Sequence, residues 1–318
     1  MAVITEQRLF GQNASVVHQT EDATLYRIEC DTSNGLMNCV SLFPGISLAY
    51  TSFYANSCFQ RKESLDHVLE IAYCSAGRYE CEFNREYYTY LGEGDIAISI
   101  LNSHRDAPLF PTGKYDGVAL ILDLDITGSV VEGIVEDVSI DLKRFIARFC
   151  KDRCCTVIKA TEGLRHVFQE ICDADHRVQK GYLRLKVLEL FYLLSEHLPD
   201  EEVKVSSYYP SSTISKIKSL KESLMADFDK KTSLQSLANF YGLGRTTMME
   251  CFKAIYGKSI YAFQKEYKMQ MAAQLLSTTE LSISEIAVKM GYSNPNKFSS
   301  AFKTATGLSP RAYRRRNN

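Results

Sequence analysis

The chain has 318 residues, 45% of them apolar and 24% charged, with 37 Lys and Arg against 38 Asp and Glu for a net charge of −1. That length is enough for two domains, each burying its own core. The sequence holds no run of 18 or more apolar residues, which argues against a helical membrane span, and MAVITEQRLFGQ at the start lacks the basic and then apolar pattern of a signal peptide, so a cytoplasmic protein is expected.

The near-neutral total hides a division. From Ser212 onward there are 17 basic and 7 acidic residues, a net of +10, leaving 20 basic and 31 acidic before it, a net of −11. One half therefore suits a polyanion and the other does not. Ten cysteines sit mainly in apolar segments such as "IEC", "MNCV" and "IAYC", where a thiol packs as a small hydrophobe. A chain without a secretion signal keeps such thiols reduced. Cys150, Cys154 and Cys155 in "FCKDRCC" lack the second close pair that a zinc site needs, so they too read as incidental thiols.

Residues 15 to 124 alternate apolar and polar positions in short β-branched and aromatic runs: "LYRIEC", "NCVSLF", "ISLAYTSFY", "HVLEIAYC", "GRYECEF", "DIAISI" and "YDGVALILDLD". The segments "TSNG", "FPG", "SAG", "GEGD" and "PTGK" between them supply turn residues. Short strands at this spacing predict an antiparallel sandwich or barrel. Glu70, Tyr73, Arg78 and His104 are polar positions that could face its interior; alternation alone does not separate inside from surface. Residues 140 to 198 turn helical. "YLRLKVLELFYLLSEHL" has Leu183, Val187, Leu190, Phe191 and Leu194 on one side and Leu185, Leu188 and Tyr192 on another, so two faces need cover. "PDEEVKVSSYYPSS" (199–212), polar and carrying prolines, reads as a linker.

The last third repeats itself. Ala238 is followed four residues later by Gly242, and Ala287 four later by Gly291. Phe252-Lys253 leads to Gly257, Ser259 and Phe263; Phe302-Lys303 leads to Gly307, Ser309 and Tyr313 at the same intervals. Each copy predicts a helix with a small residue for close approach, a glycine elbow needing φ > 0, and a second helix buried through Met248 and Phe252 or through Phe298 and Phe302. Asn294 or Ser293 is placed to cap the last of these, with Pro295 in its first turn.

These residues, and "IAVKMGYSNPNKFSSAFKTATGLSPRAYRR" above all, closely resemble the DNA-binding domain of AraC-family transcriptional regulators over about 213–316. The resemblance implies an α+β protein: an N-terminal antiparallel β-barrel, cupin-like, over 1–135; a helical dimerisation segment over 136–198; the linker; and an all-α DNA-binding domain over 213–318. That domain would hold helix-turn-helix units at about 233–256 and 283–306. A long helix, "SIYAFQKEYKMQMAAQLL", would join them through a stripe of Ile260, Phe263, Tyr267, Met271 and Leu275. Two recognition helices would enter successive major-groove faces, one presenting Arg245, Thr246, Met249, Glu250 and Lys253, the other Asn294, Asn296, Lys297, Ser299 and Ser300. Asn suits an adenine edge, Glu a cytosine amino group, and Lys guanine or phosphate. Arg314, Arg315 and Arg316 read as a solvated tail that attracts phosphate.

The sequence departs from the family pattern in three places. Glu250 stands where a basic residue is common, Lys268-Met269 where Arg-Leu is usual, and Ile260 where proline is common. The function so implied is a transcription regulator that binds double-stranded promoter DNA, as an activator or, equally open from the sequence, a repressor. It would work with RNA polymerase as a homodimer, switched by an unidentified small-molecule effector in the barrel. The alternatives are a DNA-binding regulator without a ligand and a metal-dependent cupin enzyme fused to a DNA-binding domain. For the enzyme, the six histidines (18, 67, 104, 166, 176 and 197) include no H-x-H pair. His67 with Glu70 is at most a fragment of a metal site, and reads more simply as a strand-end histidine beside a structural carboxylate. No catalytic residue, metal or cofactor is expected.

Overall fold

The computed structural model describes residues 14–58, 65–83, 86–101, 109–127, 142–150, 155–174, 180–195, 205–227 and 232–317. The chain divides into two compact units, Met1–Pro210 and Ser211–Asn318. No helix among the described residues is long and apolar enough to cross a membrane.

The described residues of the first unit form ten strands: β1 (Ala14–Gln19), β2 (Ala23–Glu29), β3 (Asn34–Phe43), β4 (Ile46–Phe53), β5 (Leu65–Phe83), β6 (Tyr87–Gly92), β7 (Asp95–Leu101), β8 (Tyr115–Asp123), β9 (Thr156–Lys159) and β10 (Tyr209–Pro210). They pair antiparallel in the order β1-β2-β3-β4-β8-β5-β6-β10, with β7 between β5 and β9. Among the described residues β1, β9 and β10 are ends that do not pair with one another. Among the described residues the architecture is thus an antiparallel sheet, the coarser form of the closed barrel that the resemblance implied.

One face of the sheet is aliphatic. Leu48, Leu69, Ile71, Ile98, Leu120 and Leu122 bury there against α1 (Leu142–Phe149), α2 (Glu162–Asp173) and α3 (Lys180–Ser195). The other face forms a second buried cluster drawn from strands and their connections alone, including Tyr26, Met37, Phe53, Ala72, Phe110, Tyr115 and Ala119, so the sheet curls over its own surface.

Four features differ from the sequence reading. "HVLEIAYC" and "GRYECEF" are one 19-residue strand, β5. "SAG" between them is an irregularity in the β5–β8 register rather than a turn; Gly77 takes φ 83° there, and a Cβ would fall 2.0 Å from the Lys114 carbonyl oxygen. The stretch expected to be wholly helical contains β9, whose β-branched "TVI" joins the sheet beside β7. The described part of the expected linker is laid onto the sheet: the Ser206 amide donates to Val157 O at 2.7 Å and Tyr209 pairs with Tyr88. Finally, Cys30 and Cys58 are not thiols but a disulfide joining the end of β2 to the segment after β4. Sequence distance gave no sign of that approach. Cys39, Cys74, Cys81, Cys150, Cys155, Cys172 and Cys251 are not disulfide-bonded, and Cys154 lies outside the described residues.

The described residues of the second unit build helices alone: α4 (Ser211–Ala226), α5 (Leu234–Tyr241), α6 (Arg245–Tyr256), α7 (Ile260–Thr278), α8 (Ile283–Lys289), α9 (Pro295–Thr306) and α10 (Pro310–Asn317). The long α7 buries Ile260, Met269, Ala272 and Leu276, while Phe263, Tyr267, Met271 and Leu275 are only partly covered. The expected single stripe fails because α7 serves two cores. Its first turns meet Phe252 and Tyr256 of α6 through Phe263, and its last turns join Ile286, Ala287, Phe298 and Phe302.

Candidate nucleic-acid interface

In the first helix pair, Ser233 caps α5 by accepting from the Ser236 amide at 3.0 Å. Gly242 ends the helix with φ 58°, and the next amide, Leu243, donates back to Ala238 O at 2.9 Å. Only glycine takes that left-handed turn without strain. Ala238 is fully buried, which lets α6 cross close by. α6 then sinks Met248, Cys251, Phe252, Ile255 and Tyr256. Arg245, Thr246, Met249, Glu250 and Lys253 are left exposed, spaced as one helical face.

The second pair repeats this geometry. Ser282 and Glu285 form a reciprocal capping box on α8, and those hydrogen bonds from Ser282 hold the Glu285 carboxyl below its ordinary pKa. Gly291 has φ 77°, and the following amide, Tyr292, donates to Ala287 O at 2.9 Å, the counterpart of Leu243 on Ala238. α9 is anchored by Phe298 and Phe302, both fully buried. Both second helices end alike: the Gly257 amide donates to Lys253 O and the Gly307 amide to Lys303 O, each glycine at φ 77°.

On α9 the structure leaves Asn296, Lys297 and Ser300 exposed, while Ser299 is half-buried against the body. Asn294 is exposed too, but its Oδ1 accepts the amides of Asn296 at 2.8 Å and Lys297 at 3.4 Å. Its side chain shapes the start of the helix. Two positions outside the predicted recognition residues are also exposed: Thr247 on α6 and Lys303 on α9. The helical period could have found Lys303, which lies one turn beyond Ser300 and two beyond Asn296.

Two further side chains fall elsewhere than the sequence suggested. Arg314 is no part of a solvated tail: its Nε–H donates to Leu276 O at 3.3 Å and its Nη2 to Leu281 O. Arg315 and Arg316 remain exposed. In the first unit, Tyr73 is spent on packing, its ring stacked 4.8 Å from Phe168. Arg78 is half-buried beside Gly92, and burial lowers its guanidinium pKa. His104 lies outside the described residues, among which no three His, Cys, Asp or Glu side chains group as metal ligands.

With this geometry in place, comparison with known proteins adds a family. Residues 237–316 match a family described as a helix-turn-helix domain. They contain α6 to α9, both glycine elbows and the two exposed faces. This segment is an AraC-type helix-turn-helix domain.

The AraC-type domain is 34% identical over 89 residues to the HTH-type transcriptional regulator AlkR of Acinetobacter baylyi, covering 28% of this chain and 29% of that one. It is 32% identical over 77 residues to the HTH-type transcriptional regulator ExsA of Pseudomonas aeruginosa, covering 24% and 28%. A Chromobacterium violaceum structure titled as a transcriptional regulator of AraC-type DNA-binding domain-containing proteins aligns at 26% identity, covering 33% of this chain and 91% of that chain, with a TM-score of 0.30. The matches to AlkR and ExsA span less than a third of those relatives.

Proposed function

We propose that the whole chain is a sequence-specific transcription regulator that binds promoter DNA through α6 and α9 and is switched through its first unit. The observation that carries this is the duplication of one geometry. Two second helices are each anchored by buried aromatics and an αL glycine, and each presents a polar face with lysine at the same place, Lys253 and Lys303. Such helices fit successive major-groove segments, with side chains reading base edges and lysines meeting phosphate.

The first unit serves as the sensor in this reading. Its sheet curls over an interior face built from strands and their connections, and closure of that curl into a cupin-like barrel belongs to the same proposal. Enclosed sheet faces of this kind hold small ligands among apolar walls with a few polar groups. A ligand bound there would favour the population competent to engage promoter DNA and RNA polymerase. For the homodimer, Leu185 is 66% exposed and Tyr192 44% exposed on α3, with Leu188 half-covered between them. That apolar face suits a second copy.

The test is the salt dependence of binding to duplex DNA. Affinity falls steeply as salt rises when several lysines and arginines neutralise phosphates. Lys253→Ala and Lys297→Ala each flatten that dependence by about one counterion. Binding that ignores salt contradicts the reading.

A further inference from the structure

The interior face of the sheet has an unusual floor. Across four neighbouring strands the paired residues are Ala49, Ala119, Ala72 and Ala97. One residue along each strand, on the face toward the helices, the corresponding row is Leu48, Leu120, Ile71 and Ile98. The helix side carries branched side chains, whereas the floor of the interior side is built of methyl groups alone.

Polar groups on this face point to the chemistry of a ligand seated over that floor. Two residues before Ala72, Glu70 stands between Ser99 and Ile121 on the same face. It is half-buried, and among the described residues its carboxylate makes no hydrogen bond or ion pair. Thr89, 1% exposed, has a hydroxyl with no partner and pairs opposite Cys81 of the interior cluster. Tyr115 stacks with Phe110 at 5.7 Å and tilts against Tyr79 at 5.6 Å. Its hydroxyl lies over Gly117, where a Cβ would come within 3.1 Å of it. Gly117 pairs with Cys74, which follows Glu70 and Ala72 along the same face of β5, so the carboxylate and the aromatic cluster share one interior; burial raises the Tyr115 phenol far above its usual pKa.

We propose that this face binds a small organic cation, its charge held between the Glu70 carboxylate and the ring of Tyr115. The proposal rests on the sensor reading above and names the ligand class. A half-buried carboxylate without a counter-charge is costly, and a cation removes that cost. Aromatic faces attract the same charge. A neutral or anionic ligand would leave Glu70 unpaired or repelled. The hydroxyls of Ser99 and Thr89 are then donors or acceptors for the polar remainder of the ligand.

The experiment is thermal shift and calorimetry on the full chain with choline and n-butylamine as probes. Their neutral and anionic counterparts are 3,3-dimethylbutan-1-ol and butyrate. Saturable stabilisation by choline or butylamine alone is expected, with Glu70→Gln weakening it about tenfold or more. A cooperative unliganded melt of that variant shows that it is folded. Equal binding of the neutral isostere, or an unchanged response in Glu70→Gln, overturns the cation class and leaves the sensor reading standing. Failure of every compound, whatever its charge, counts against both.

Discussion

Arg314 of α10 donates from Nε to the carbonyl oxygen of Leu276 near the end of α7, at 3.3 Å, and from Nη2 to Leu281 O just before α8. One guanidinium thus ties the last helix to the connection between α7 and the second helix pair. Leu276 O is among the last-turn carbonyl oxygens that a helix end leaves without intrahelical donors, and Leu281 O belongs to the connection itself.

Arg314 and Arg315 should therefore fail differently. Arg314→Met is expected to destabilise the second unit by about 1–3 kcal/mol, since hydrogen bonds from a charged donor are lost. Denaturant unfolding of that unit reads it directly. Arg315→Met should leave unfolding unchanged, weaken binding to every DNA sequence alike and reduce the salt dependence.

On α9, Asn296 is exposed and its side chain is free of the capping role that occupies Asn294. Asn296→Ala is expected to weaken binding to the preferred site by about 1–3 kcal/mol relative to random duplex, as for a bidentate adenine contact. Asn294→Ala acts instead through the helix start and should cost about 1 kcal/mol of stability. An equal loss for Asn296→Ala on random DNA would mean that it touches only backbone.

The helix-turn-helix architecture was legible because its constraints are local. A glycine at φ > 0, a small residue four before it and phenylalanines at helical spacing fix an elbow and a buried side within one window of sequence. Features set by distant chain were not legible. Arg314 sits in a run of three arginines that reads as solvent-exposed, and only the docking of α10 turns one of them inward. Glu70 lies on a strand buried on both faces, so alternation could not tell which face it occupies. The Cys30–Cys58 bond joins residues 28 apart in sequence and was masked by an argument from compartment. "SAG" has turn composition yet continues a strand, because Gly77 absorbs the irregularity in register.

The disulfide gives a test confined to the first unit. Closing a loop of 28 residues removes denatured-chain entropy worth about 3–4 kcal/mol. Cys30→Ser with Cys58→Ser should lower the stability of that unit by this amount. Reductant should bring the parent down to the variant and leave the variant unmoved.

At the first elbow, Gly242 has φ 58°, and a Cβ would meet nothing closer than Lys216 Nζ at 3.7 Å. Backbone conformation alone sets the cost of Gly242→Ala, about 1–2 kcal/mol by thermal or denaturant unfolding. Gly242→Asn should cost less, since Asn adopts the left-handed region more readily.

The central claim is that two recognition faces read one promoter sequence. Its most direct test is selection of genomic fragments by the purified full-length chain at fixed salt, repeated with α6 carrying Arg245→Ala and Glu250→Ala, and with α9 carrying Asn296→Ala and Lys297→Ala. The account predicts a preferred site of repeated elements, each spanning two major-groove segments, with each pair of substitutions relaxing the preference in one segment only. Recovery of no preferred sequence, by the full-length chain and by residues 211–318 alike, would contradict it.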